Sequence, residues 1–338
     1  MFRRRRKLRR ILLLSGGVAF VVMAIMFVWF AYRPVGKPDV TVTVEIPKGT
    51  GFIRIVEILD EKGLVGNKPF FYLLSLVKGS ARIIRAGEYE FTGSMSPVDI
   101  IDKLVKGNIK FYMVTVREDT TLREIADELA GLRLVKKEEF IKAAHDKALL
   151  MALHIDGDSA EGYLYPETYR LDRTMGEREI IRLMVEQFWR KFTPELQKRA
   201  IEMDMTIGEV VTLASLIGKE TGLKEEKPFI SAVFHNRLRR GMKLQCDPTA
   251  VYNVPFLKGP IKRSHLKLSH PYNTYVVAGL PPGPIANPDI DSIKAALYPA
   301  KVDYLYFVSN NDGSHVFSSN FAEHSQAVLR YRAKKERE

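Results

Sequence analysis

Ile11 to Tyr32 reads ILLLSGGVAFVVMAIMFVWFAY, without one charged residue. As a helix these 22 residues rise roughly 33 Å, enough to cross the hydrocarbon core of a bilayer. Such a run splits the chain into a short head and a long remainder on opposite sides of a membrane. The head, MFRRRRKLRR at residues 1–10, carries seven of the formal +12 charges. The positive-inside rule puts it in the cytoplasm and everything after about Arg33 outside. Trp29 and Tyr32 then fall at the outer interface. A cleaved signal peptide is the alternative, but the run is long for one and no Ala-x-Ala site follows it. The expectation is an uncleaved anchor over 11–32.

Without the head the chain is only about +5, so a nucleic-acid partner is not expected. The remainder is long enough for one large or two to three modest domains, and 46% apolar residues suffice for a sizeable core. Cys246 is the only cysteine. That excludes a lipidated cysteine after the signal, an intramolecular disulfide and a Cys-rich zinc site.

Residues 33–40, RPVGKPDV, read as a linker. TVTVEI at 41–46 alternates as a strand, and a turn and an amphipathic helix follow it. VTVREDTTLREIADELA at 114–130 repeats that plan about 70 residues on, a weak internal repeat. Between the copies, ARIIRAGEYEF reads as strand or hairpin. SPVDIIDKLVKG reads as a helix opened by Ser96 and Pro97 and closed by Gly107. Residues 41–115 therefore form a small α+β domain. A larger mixed α+β domain spans 116–330, with helical patterns at 135–154, 176–203 and 206–241, then loops, a short helix and two strands. The charged end, 331–338, is expected to fray.

Thr206-Ile-Gly-Glu209 matches a capping box. In the helix it opens, Val210, Leu213, Leu216 or Ile217, and Glu220 recur at three- and four-residue spacing. Glu220 thus shares the apolar face, in the last turn before Gly222, a plausible cap. The helix dipole and desolvation both favour its protonated form, as a general acid near neutral pH requires. The plainer reading is an exposed end residue, or one paired with Lys219, Lys224 or Arg237, and the residues alone leave both open.

The next helix, from about Glu226 to Gly241, carries His235 and Asn236. Both are candidates to point into a cleft, and the preferred reading of His235 is a helix-surface histidine. Asp247-Pro248-Thr249 predicts a turn with Gln245 and Asp247 as acceptors. HPYNTY supplies Tyr272, Asn273 and Tyr275. Amides interleaved with aromatic rings suit a sugar polymer, and equally plain loop packing. PPGPIANP reads as a rigid brace. No HExxH, GxSxG or GxxxxGK[ST] occurs, and no metal or cofactor is expected.

EGYLYPETY at 161–169, LASLIGKETG at 213–222, VFHNRLRRGMKLQCDPTAVY at 233–252 and SHPYNTYVVAGLPPGPIANP at 269–288 together resemble the endolytic murein transglycosylase family, whose catalytic region is called YceG-like. The ending AALYPAKVDYLYFVSNNDGSHVFSSNFAEHSQAV also matches. The resemblance implies a bacterial inner-membrane protein of single-pass topology, with its bulk periplasmic and a LysM-like domain at 41–115 ahead of the catalytic domain. It implies cleavage of nascent glycan strands between N-acetylmuramic acid and N-acetylglucosamine, leaving a 1,6-anhydro end. Glu220 stands at the family's essential acid. Many members carry a second glutamate where this chain has Gly218, which suggests that this second acid is dispensable. Gln245, Asp247, Tyr272, Asn273 and Asn236 become candidates for positioning sugars, with loop bracing the alternative role for each. Glycan strands, membrane lipid and penicillin-binding synthases are the partners implied. A non-catalytic, membrane-tethered peptidoglycan-binding scaffold is the competing reading.

Overall fold

The computed structural model describes residues 2–252, 254, 259–310 and 312–335. It is an α+β fold with one long apolar helix at the N-terminus, α1 (Phe2–Tyr32). The chain forms two compact units, Met1–Tyr112 with Asp172–Thr174, and Met113–Leu171 with Met175–Glu338.

In the first unit, α1 is followed by β1 (Thr41–Ile46), α2 (Phe52–Glu61), α3 (Lys68–Val77), β2 (Gly87–Thr92) and α4 (Pro97–Lys106). β1 and β2 pair antiparallel, with Val44 opposite Tyr89. Alternation along β1 buries Val44 and Ile46, which join Val56, Leu59, Phe71, Phe91, Ile101 and Leu104 in one core. α4 begins and ends as its residues dictate. Ser96 and Asp99 close a capping box, and Gly107 takes the left-handed conformation at the C-cap. The segment after α1 is held to this unit, with the Val35 and Gly36 N–H groups donating to Met95 O and Gly93 O.

The second unit opens at Met113, within β3 (Tyr112–Thr115), and continues with α5 (Leu122–Gly131), α6 (Lys137–Ala144) and α7 (Lys147–Ala152). β4 (Thr168–Leu171), α8 (Glu177–Lys191), α9 (Pro194–Glu202) and α10 (Ile207–Glu220) follow. It continues with α11 (Lys227–Arg239), α12 (Asp247–Val251), α13 (Ile290–Leu297), β5 (Tyr306–Ser309), β6 (His315–Ser318) and α14 (Phe321–Lys335). Among the described residues every sheet is two-stranded: β1 with β2, β3 with β4, β5 with β6.

α10 is the centre of this unit. Val210, Val211, Leu213, Ala214, Leu216 and Ile217 are all fully buried. A helix apolar on every side needs neighbours on every side, and α9, α11, α12 and α13 supply them.

α14 continues to Lys335, and residues 336–338 lie outside the described residues. Two local expectations need correcting. Asp247 does not sit in an isolated turn. It opens α12, where its acidic side chain suits the first turn and Pro248 costs no hydrogen bond. Gly222 does not cap α10. The chain leaves through an extended, buried Thr221, whose Oγ1 accepts from Leu223 N–H.

Candidate functional site

The Thr206 hydroxyl accepts from Glu209 N–H, and the Glu209 carboxylate accepts from Thr206 N–H, so α10 starts where the sequence places it. Fourteen residues later it delivers Glu220 in its last turn. Glu220 is half-buried. Burial pushes its carboxyl up to about 7, and the adjacent Asp247 carboxylate adds to the rise. The Cys246 thiol and Asp247 N–H, both hydrogen-bonded to it, and the nearby Arg237 charge pull the other way. The result is a carboxyl near half-protonation at neutral pH, able to release a proton and take one back.

The cations on the plainer reading are occupied. Lys219 Nζ reaches Asp119 O, and Lys224 pairs with Asp291 at 2.9 Å. Arg237 is buried and donates to Leu305 O and Leu244 O, both at 2.7 Å, and more weakly to Gln245 Oε1 at 3.5 Å. It acts on Glu220 through its field and braces the floor beneath.

The strand of chain across from Glu220 is fixed by a buried pair of threonines. Thr249 and Thr274 hydroxyls bond each other at 2.8 Å. Thr249 Oγ1 donates to Cys246 O, and Cys246 N–H donates to Thr274 Oγ1. Gln245, just before, is held at a φ of +52°, with its N–H on Thr274 O. These bonds aim the Cys246 thiol at Glu220. Burial and the Glu220 carboxylate push that thiol well above its ordinary pKa, so it stays a neutral donor.

Of the residues singled out from sequence, Glu220, Asp247 and Gln245 come together here. Asp247 is exposed, and its Oδ1 accepts from Tyr275 OH at 2.5 Å. Tyr272 lies in a second group. Its ring is 4.6 Å from that of Tyr252, whose hydroxyl donates to Glu161 Oε2. Glu161 is buried and also accepts from Leu122 N–H and Asn287 Nδ2, and burial pushes it up to about 7. Asn273 is fully buried, and its amide spans Leu266 O, Leu268 O and Tyr275 N–H. Asn236 is also buried and donates to Val302 O and Tyr304 O. Every polar atom of these two amides that bonds does so within the protein.

His235 is half-buried, bonds Ala296 O, and is held below its usual pKa by burial. A cavity of about 1470 Å³ is bordered by His235, Asn236, Arg239, Tyr298 and Tyr304, and Glu220 is not part of its wall. Among the described residues no three His, Cys, Asp or Glu side chains are grouped to hold a metal.

PPGPIANP braces the site. Ile285 N–H donates to Ser215 Oγ inside α10, and Asn287 ties Leu164, Thr120 and Glu161 together. Gly162, at a φ of +87°, lies so close that a Cβ there would be 2.5 Å from Pro284.

The YceG-like family model matches residues 44–330. The chain is 32% identical over 319 residues to the endolytic murein transglycosylase of Bacillus subtilis, covering 88% of this chain and 87% of that one. It is 30% identical over 322 residues to the endolytic murein transglycosylase of Streptococcus pneumoniae D39, covering 86% of this chain and 58% of the other. A crystal structure of a YceG-like protein from Listeria monocytogenes superposes with a TM-score of 0.60 at 31% identity, covering 85% of this chain and 98% of that one.

Proposed function

The chain belongs to the YceG-like family of endolytic murein transglycosylases, and from that premise we propose that it cleaves nascent glycan strands internally with Glu220 as the single catalytic acid and base. The bond is the one between N-acetylmuramic acid and N-acetylglucosamine. Glu220 gives its proton to the glycosidic oxygen as that oxygen leaves C1 of the muramic residue. The C6 hydroxyl of the same sugar attacks C1, and the Glu220 carboxylate accepts the hydroxyl proton. The product end is 1,6-anhydro, Glu220 is protonated again, and no water is consumed. An internal nucleophile replaces the second carboxylate that hydrolytic glycosidases use. The observation that carries this reading is the Glu220 carboxyl held near 7 at a half-open position.

Gln245, Asp247, Tyr275 and Tyr272 are the groups we assign to sugar contacts, while Asn236 and Asn273 shape the walls. The first unit beyond α1 serves as a LysM-like glycan-holding domain. α1 anchors the protein in the inner membrane with residues 1–10 cytoplasmic, so that both units meet new glycan on the periplasmic side, beside penicillin-binding synthases. Asp247 beside Glu220 favours one second reading, a two-carboxylate muramidase.

The test is incubation of the detergent-solubilised chain and its Glu220→Gln form with uncrosslinked glycan strands, with mass spectrometry of the new ends. Anhydro ends from the unmodified chain, and at least about a hundredfold fewer from the variant, are expected. Reducing ends would replace the mechanism by the muramidase. Equal behaviour of both forms would return the protein to a glycan-binding scaffold.

A further inference from the structure

α3, KPFFYLLSLV, has no polar face. Phe71 and Leu74 point into the core of the first unit, while Leu73, Leu76 and Val77 are 44%, 73% and 71% exposed. A short helix that is apolar all round belongs where neither side is water.

What lies on its outer side follows from α1. Phe70 of α3 packs edge-on against Phe27 and Phe30 of α1, at ring distances of 5.7 and 5.5 Å. Phe70, Leu73 and Val77 follow helical spacing, so the stripe that touches α1 runs on into the exposed one. Phe27 stands sixteen residues after Ile11, roughly 24 Å along the helix, and Phe30 roughly 28 Å. Both depths fall within a hydrocarbon core about 30 Å thick. If α1 spans the bilayer from Ile11, the ring of Phe70 is at acyl-chain depth, near its outer boundary. Trp29, with Arg33 stacked 4.3 Å over its ring, marks that boundary. There is no slack to lift the unit away, because Val35 and Gly36 are bonded to the 93–95 loop. A groove of about 530 Å³, walled by Met26, Trp29, Phe30, Val65 and Phe70, opens where the two helices meet. Lys68 and Lys78 stand at the two ends of α3, where they pair with Asp60 and Asp102 of the same unit, so the polar groups lie at the helix ends and not along its exposed stripe.

We propose that α3 is a second membrane contact, its Leu73, Leu76 and Val77 face immersed in the outer leaflet of the bilayer that α1 crosses. The proposal rests on the reading of α1 as a membrane span. It makes the first unit a body seated on the lipid at a fixed depth rather than one tethered above it.

The test uses the full chain in vesicles of phosphatidylethanolamine and phosphatidylglycerol. Leu76→Cys and, separately, Val18→Cys carry an environment-sensitive fluorophore; buried Cys246 leaves the parent chain as the labelling blank. Lipids spin-labelled at shallow or deep acyl positions quench from the membrane, and iodide from the water. The expected result is loss of emission at both positions with spin-labelled lipid. At position 76 the shallow label quenches more than the deep one, and iodide quenches little. Quenching at 18 with none at 76, and free iodide access at 76, would overturn the α3 contact and leave the span standing. No lipid quenching at 18 would remove the span, and the α3 proposal with it.

Discussion

A Cβ on Gly218 would lie 1.9 Å from Asp119 Oδ1. The carboxyl of Asp119 fills the space that a side chain at 218 would need. Asp119 sits at a φ of +58°, its Oδ1 has no hydrogen-bond partner, and burial pushes it up to about 7 against the pull of Lys227. The glycine in LIGKET is therefore a steric consequence of Asp119. Gly218→Ala is expected to cost about 1–3 kcal/mol by overpacking. In an Asp119→Gly background, which also relieves the left-handed backbone, the same change is expected to be close to neutral. Thermal unfolding of the four proteins checks this. Additive losses would show that the two positions do not compete for one space.

Glu161 gives a stability prediction with a definite sign. Its carboxyl is raised to about 7 in the fold from 4.5, so the folded state holds the proton more tightly than the unfolded chain. Its contribution is fully present below about pH 4.5 and is lost as pH rises to about 7. The loss is at most about 3 kcal/mol. Glu161→Gln keeps an oxygen for Leu122 N–H and Asn287, so it is expected to match the parent near pH 4 and to exceed it above pH 7. Glu161→Ala leaves those donors unpaired and is expected to lose about 2–4 kcal/mol at low pH. Urea unfolding at pH 4 and pH 8 separates the three; a Gln variant with no pH-dependent gain would contradict the account.

Asn273 looks like a sugar ligand in sequence and like a brace in space. Asn273→Ala is expected to lower stability by about 1–3 kcal/mol, since a fully buried amide is lost and three part-buried backbone groups lose their bonds. Strand cleavage by the fraction still folded should keep its KM. A raised KM with unchanged unfolding would return Asn273 to the substrate.

Asp247 raises the Glu220 pKa through its charge, while its N–H acts through the backbone. Asp247→Asn removes the charge and keeps the N–H. The high-pH limb of cleavage is expected to move to lower pH. An unmoved limb would show that Asp247 does not act electrostatically on Glu220.

What could be read from the sequence was local. The α10 capping box, the Ser96 to Gly107 bounds of α4 and the apolar spacing that ends on Glu220 are written within one or two helical turns, where i, i+3 and i+4 geometry is decisive. The rest of the site was not legible, because its contacts join distant segments. Cys246 meets Thr274 across 28 residues, and Arg237 meets Leu305 across 68. Nothing local marks Asp119 as the neighbour of Gly218, or Glu161 as the partner of Tyr252. Asn236 and Asn273 carry no sign of burial in their own neighbourhoods, since an amide that feeds carbonyls looks the same in sequence as one that meets solvent. Asp247-Pro248 misled for a related reason: the same pair that begins a turn also begins a helix.

The most direct test of the central claim is the pH dependence of anhydro-end formation between pH 5 and 9, at constant ionic strength and limiting substrate. In the proposed mechanism Glu220 begins each turnover protonated, and its carboxyl is raised to about 7. Cleavage should therefore be highest below that value and fall tenfold per pH unit above it. A rate that stays level through pH 9, or one that rises with pH, would show that Glu220 is not the proton donor.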